Sequence, residues 1–289
     1  MSIKTKGTFF LCIGAPRCGT TWLHHALRQH PDIFLPPVKE LRHFAGTRSA
    51  TEHQSQAERI LQRNLSPPER LFAEKWQAYD SSDDQSFEDL FNSVSAHTAY
   101  DAMGEISPIY CTLGHQKVAR LKRAVGADAK IIFLMRNPIE RDISHLALLA
   151  SNQARAVETL DDARGILSRP SFSKRSDYER TLRIWKEAFG EENLLVAFPE
   201  QIKEAPLDLI RRICEFLKVE FREKYFLQEQ LSKKINTRRK YMKALSFKDQ
   251  LEAELASHYL EPLKSLAVCL PETPVEKWLR KTERILRRQ

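Results

Sequence analysis

The stretch GAPRCGTT, residues 14–21, holds the residues best suited to chemistry. Gly14, Arg17, Gly19, Thr20 and Thr21 stand between an apolar run at residues 9–13 and a helical repeat of Trp22, Leu23, Ala26 and Leu27. A strand, a glycine-spaced turn and a helix start in that order form a cradle for an anion. The backbone N–H groups of the turn converge, and the helix dipole favours negative charge there. The turn nearly matches the triphosphate-binding pattern G-x-x-x-x-G-K-[ST]. Thr20, however, stands at the lysine position, and the cation comes earlier, as Arg17. Enzymes with that pattern also use an aspartate at a later strand end to hold magnesium. Here the clearest later strand, residues 130–135, runs into Arg136 instead. The residues therefore imply a phosphate-type ligand held without a metal, with a second anionic group near Arg136.

The elements that must position these groups read as alternating strands and helices. Residues 9–13, 100–106, 131–135 and 193–198 have the apolar runs of buried strands. Helical spacing appears from Thr20, over residues 87–94 and 116–125, from Pro138, and over residues 178–189 and 207–217. Pro138 suits a first helical turn and Gly190 a helix end. Two more helices are expected at residues 246–268 and 274–288, after a basic loop at 234–242. Residues 36–39 read as extended or turning, and 48–85 as short helices and loops. The pattern predicts an α/β fold: a parallel β-sheet of P-loop type, flanked by helices on both faces, with C-terminal helices. Residues 1–289 form a single domain in this reading, with 246–289 a helical extension packed on it. Ligands of such sheets bind at the carboxyl ends of the strands, where Gly14, Glu105 and Arg136 fall.

The text of the chain resembles the sulfotransferases that use 3′-phosphoadenosine 5′-phosphosulfate (PAPS), in their bacterial, carbohydrate-sulfotransferase-like form. The resemblance is carried by GAPRCGTTWL, PPVKELRHF, GEISPIY and RNPIERDISH, with YERTLRIWKEAFGEENLLVAFPEQI similar in pattern. It implies sulfuryl transfer to a hydroxyl or amine of a carbohydrate, glycolipid or small-molecule acceptor, leaving adenosine 3′,5′-bisphosphate. Arg17 then stabilises charge on the bridging oxygen, and Gly19, Thr20 and Thr21 bind the 5′-phosphate, with Cys18 and Trp22 in the same loop. Arg136 and Ser144 grip the 3′-phosphate, joined by Lys234, Arg238 and Arg239 of the basic loop. Glu40 is the expected base, and Arg42, His43 and Glu105 are expected near the acceptor, with Glu105 able to orient Arg17. Arg42 stands where the family commonly has histidine, with His43 displaced by one. Cys18 sits at a helix start beside a cation, where a thiol pKa can fall. Arg141 is expected to face solvent or to pair with Asp142 or Glu140. Residues 42–98 and 150–176 would shape the acceptor pocket.

Composition narrows the alternatives. The net charge is +8, with six cations and no acid in residues 231–243 and six cations against two acids in residues 276–288. Cations gathered in two places suit local anion sites better than the groove of a nucleic-acid binder. A metal-dependent kinase or NTPase is the rival enzyme, opposed by Thr20 and Arg136. Five scattered cysteines without a CxxC pair read as reduced thiols, and no signal peptide or membrane span is apparent, so a cytoplasmic location is expected. The last helix sets Val275, Trp278, Leu279, Ile285 and Leu286 against cations. It either packs on the domain or lies on an anionic membrane.

Overall fold

The computed structural model describes residues 2–46, 50–151, 157–232 and 247–288. In chain order the elements are β1 Thr8–Gly14, α1 Thr20–Leu27, β2 Ile33–Phe34, α2 Ala50–Leu61, α3 Pro67–Gln77, α4 Asp84–His97, β3 Ala102–Ile106, α5 His115–Val125, β4 Lys130–Leu134 and α6 Pro138–Ser151. There follow α7 Leu160–Leu167, α8 Pro170–Ser173, α9 Tyr178–Phe189, β5 Leu194–Ala197, α10 Pro199–Glu204, α11 Pro206–Leu217, α12 Gln228–Ser232, α13 Lys248–Cys269 and α14 Pro274–Leu286. The five strands form one sheet in the order β2-β3-β1-β4-β5. Every neighbouring pair is parallel, so the expected α/β class holds.

β1 and β3 are buried along nearly their whole length, as strands covered on both faces must be. After β1 the chain winds toward β2 and β3, and after β4 toward β5. The winding direction therefore reverses between the adjacent strands β1 and β4, which opens a crevice at their carboxyl ends. The loop after β1 and Arg136 after β4 lie on its two sides. Ala15 N donates to Leu134 O at 2.6 Å and ties them together.

Three differences from the sequence reading have local causes. Residues 33–34 pair with Ala102 and Met103 as an edge strand too short to register as an apolar run. α4 starts earlier than its apolar repeat because Asp83 caps it, accepting from Gln85 N and Ser86 N. α3 begins with a Ser66–Glu69 capping box and Pro67, and its Phe72 and Trp76 are wholly buried. Phe72 packs on Phe34 and on Phe91, which meets Phe9 of β1 edge-on at 5.0 Å, so this helical layer is part of the core. Each such ring contributes about 2 kcal/mol on burial.

The apolar stripe of α14 is used inside the protein. Val275 and Trp278 are buried, and Leu279, Ile285 and Leu286 pack partly buried against the same hydrophobic cluster. The face offered to a membrane in the sequence reading is thus covered. No described helix is long and apolar enough to cross a membrane.

Candidate active site

The loop between β1 and α1 has the backbone of an anion cradle. Gly14 has φ 138° and Gly19 φ 96°. A Cβ on Gly14 would come within 2.5 Å of Pro108 O, and one on Gly19 within 2.6 Å of Ile202 Cδ1. Both positions therefore require glycine. Arg17 also adopts a left-handed conformation, φ 73°, which turns its side chain out of the strand-to-helix path. Among the described residues no side chain caps α1 and no acid occupies its first turn. Its N-terminal N–H groups keep the positive end of the dipole for a ligand. Thr20 is buried at that end and Thr21 half-buried beside it.

Arg17 Nε donates to Ser144 Oγ at 3.0 Å, across 127 residues of chain. That bond joins the β1 loop to the second turn of α6 over the crevice. Asn137 caps α6, its Oδ1 accepting from Ile139 N at 3.0 Å, and Pro138 opens it. The backbone of Arg136 is anchored by Tyr178, whose hydroxyl donates to Arg136 O at 2.7 Å. The Arg136 guanidinium donates to Glu140 Oε2 from Nη2 at 2.9 Å. Gly14, Arg17, Gly19, Thr20, Thr21, Arg136 and Ser144 are thus gathered at one crevice.

Glu40 is held at the end of the neighbouring strand. Its N–H donates to Ile106 O at 3.2 Å. Glu40 and Arg42 both have positive φ, 66° and 60°, in a tight turn that aims their side chains back at each other. Lys39 Nζ donates to Glu40 Oε1 at 2.9 Å, and Arg42 Nε donates to Oε2 at 3.0 Å. Burial pushes the Glu40 carboxyl up, but these two cations outweigh it and hold the carboxyl below its ordinary range. Arg42 N donates to Ser107 Oγ at 3.0 Å, and that hydroxyl donates to Glu105 Oε2 at 2.9 Å.

Several sequence-predicted positions are buried in the fold. Glu105 is 1% exposed, and its carboxylate accepts from Ser107, whose hydroxyl in turn braces the Glu40 turn through Arg42 N. His43 is buried and stacked on Phe87, with Tyr79 at Nδ1 and Asp84 at Nε2. Burial, the largest effect, lowers its pKa despite Asp84. Both ring nitrogens are engaged inside the protein, so an acceptor-facing role does not fit. The Cys18 thiol is fully buried and pushed up to about 11, because burial outweighs Arg141 and Arg136. The expected fall in its pKa is therefore reversed, and its N–H is turned to Ala15 O. Trp22 is buried, its indole N–H donating to Leu231 O at 2.9 Å. Arg141 has no solvent exposure. It pairs with Asp142 and reaches Ser176, and Tyr259 of α13 donates to Asp142 Oδ2 at 2.7 Å. Lys234, Arg238 and Arg239 lie outside the described residues.

Three features were missed at the level of sequence. Ser107, directly after a strand end in GEISPIY, is a capping-type residue whose position carried the only signal. His145, next to Ser144, contacts Arg175 Nη1 at 2.9 Å through Nε2. Burial first, then Arg175 and Arg141, lower its pKa to about 2, so the ring is neutral and accepts. Lys281 of α14 donates to Glu140 Oε1 at 2.7 Å, and nothing local marks it out.

A family model described as the sulfotransferase family matches residues 10–223. The chain belongs to the sulfotransferase family. It is accordingly an enzyme of sulfuryl transfer. The sulfotransferase is similar in fold to one from Alicyclobacillus acidocaldarius, at 21% identity and a TM-score of 0.64, over 95% of this chain and 99% of that one. It is also similar to the sulfotransferase domain of the Synechococcus PCC 7002 olefin synthase, at 18% identity and a TM-score of 0.52, covering 79% of this chain and 80% of that domain. No curated protein matches it. The family match supplies the family, and the structural likeness supplies the fold. Among the described residues no group of His, Cys, Asp and Glu is placed to hold a metal.

The cysteines of the sulfotransferase give a direct check on this packing. Cys12, Cys18, Cys111 and Cys214 are buried, and Cys269 is exposed. Burial pushes Cys12, Cys111 and Cys214 up to about 12. Titration of the native protein with a disulfide reagent at pH 8 should show one fast thiol, lost in Cys269→Ser. The other four should react only on unfolding. Fast modification of Cys18 would contradict the packing of the loop.

Proposed function

We propose that this sulfotransferase takes the sulfuryl group of PAPS and passes it in-line, without a metal, to a hydroxyl or amine of a carbohydrate, glycolipid or small-molecule acceptor. The observation that carries the reading is the Arg17–Ser144 bond over the crevice between β1 and β4, beside the uncapped start of α1. One cation there serves two groups: the loop suited to a 5′-phosphosulfate and the helix whose Arg136 and Ser144 suit a 3′-phosphate. Thr20, Thr21 and the N–H groups of α1 bind the 5′-phosphate.

In the transfer, the acceptor oxygen or nitrogen forms a bond to sulfur as the bond from sulfur to the bridging phosphate oxygen breaks. The electron pair of the broken bond stays on that oxygen, where Arg17 stabilises the growing charge. The acceptor proton passes to Glu40, which Lys39 and Arg42 keep ionised until then. Ser144 holds the Arg17 side chain until the reacting oxygen competes for it.

Adenosine 3′,5′-bisphosphate should raise the melting temperature with EDTA present. At a concentration 100-fold above Kd the gain is about 2.7 kcal/mol, roughly 4 °C for a chain of this size. Stabilisation by ATP that requires magnesium, with none from the bisphosphate, would favour the rival NTPase reading. Labelled PAPS offered with panels of sugars, lipids and phenols then identifies the acceptor.

A further inference from the structure

α14 lies beyond the residues matched by the family model, yet it packs directly against the nucleotide side of the crevice. Trp278 is buried, meets the Phe198 ring edge-on at 5.6 Å, and donates from Nε1 to Glu200 Oε1 at 2.8 Å. Thr282 is buried one turn further on, its hydroxyl donating to Trp278 O. Lys281 lies between these anchors, so its backbone is fixed although its side chain is half exposed.

The Glu140 carboxylate is shared. Oε2 accepts from Arg136 at 2.9 Å, and Oε1 accepts from Lys281 at 2.7 Å. A lone carboxylate four residues from a phosphate-gripping arginine works against that grip: it competes for the guanidinium and repels the incoming anion. Lys281 removes both objections. It neutralises Glu140, and it leaves Glu140 a partner when Arg136 turns to phosphate. Burial raises the Glu140 carboxyl, but Lys281 and Arg136 bring it down to about 2, so the charge is present throughout.

We infer that Lys281 is a positioning residue of the nucleotide site, acting through Glu140 to present Arg136 to the 3′-phosphate. This rests on the reading above that Arg136 receives that phosphate. The C-terminal helix is thereby a working part of the donor site as well as a cover for the sheet.

Calorimetry separates this role from a structural one. Adenosine 3′,5′-bisphosphate and adenosine 5′-monophosphate, which lacks the 3′-phosphate, are titrated into the wild type, Lys281→Met and Lys281→Arg. Lys281→Met should weaken the bisphosphate about fivefold, the upper end of what one partly exposed ion pair supplies. The monophosphate should change less than about twofold, and Lys281→Arg should restore the bisphosphate. Unchanged bisphosphate affinity in Lys281→Met, or equal loss for both nucleotides, overturns the inference. A wild type that binds the two nucleotides equally overturns the donor reading itself, and this inference with it.

Discussion

Arg17→Ala should lower kcat by about 10²- to 10³-fold, corresponding to roughly 3–4 kcal/mol of lost transition-state stabilisation. The reason is where the side chain is held. Its left-handed backbone and its bond to Ser144 place the guanidinium over the crevice, where the leaving oxygen of the donor would develop charge. Adenosine 3′,5′-bisphosphate should bind less tightly as well, because in the proposed donor complex the same cation faces the 5′-phosphate in the ground state, but the loss in Kd should be smaller than the loss in kcat. Arg17→Lys should recover part of the rate: an ammonium keeps the charge and loses the fixed fork that reaches Ser144. Pre-steady-state rates with labelled donor, compared with nucleotide Kd values, separate the two effects. Weaker bisphosphate binding with kcat unchanged would mean that Arg17 only binds.

What could be read in advance was what depends on near neighbours in sequence. Gly14, Arg17 and Gly19 share one turn, and the chemistry of that turn follows from glycine conformations and a helix start. Arg136 and Ser144 are spaced so that a strand end and the following helix carry both to one corner. The central strands were legible because strands buried on both faces are continuous apolar runs. What escaped depends on distant packing. His43 and Glu105 stand in motifs that suggest chemistry, yet Phe87, Tyr79, Asp84 and Ser107 enclose them. Cys18 illustrates the conflict best. A helix start and a neighbouring cation favour the thiolate, but complete burial costs more than both supply. α2 and α3 looked weakly patterned because their buried apolar residues, Ala57, Ile60, Phe72, Ala73 and Trp76, are widely spaced among polar ones.

The division of labour around the crevice follows from these packing choices. Among the buried groups, Arg141 pairs with Asp142 and Glu105 accepts from Ser107. Arg17, Glu40 and Arg136, by contrast, are half-exposed. Side chains mounted on strand ends and supported by packed neighbours keep their geometry better than side chains on free loops.

Glu40→Gln should abolish most turnover, by about 10²- to 10⁴-fold, while bisphosphate affinity changes little. Glutamine keeps the size of the side chain but has one acceptor oxygen for Lys39 and Arg42 in place of two, and it cannot take a proton at the pH of catalysis. The pH profile gives an independent reading of the same group. Lys39 and Arg42 hold the Glu40 carboxyl below its ordinary range, so the basic form is present above that range and is lost only as pH falls through the lowered value. The same sign applies to stability. The ion pairs of Glu40 stabilise the fold at pH values above the unfolded carboxyl's pKa, and this contribution disappears as the pH drops through the folded one. Activity should therefore stay level across the usual histidine range, because burial lowers the pKa of His43 and takes that of His145 to about 2. Loss of rate should begin only in the acid region. A limb near pH 6.5 in the wild type, or wild-type turnover by Glu40→Gln on the true acceptor, would move the base from Glu40 to another group.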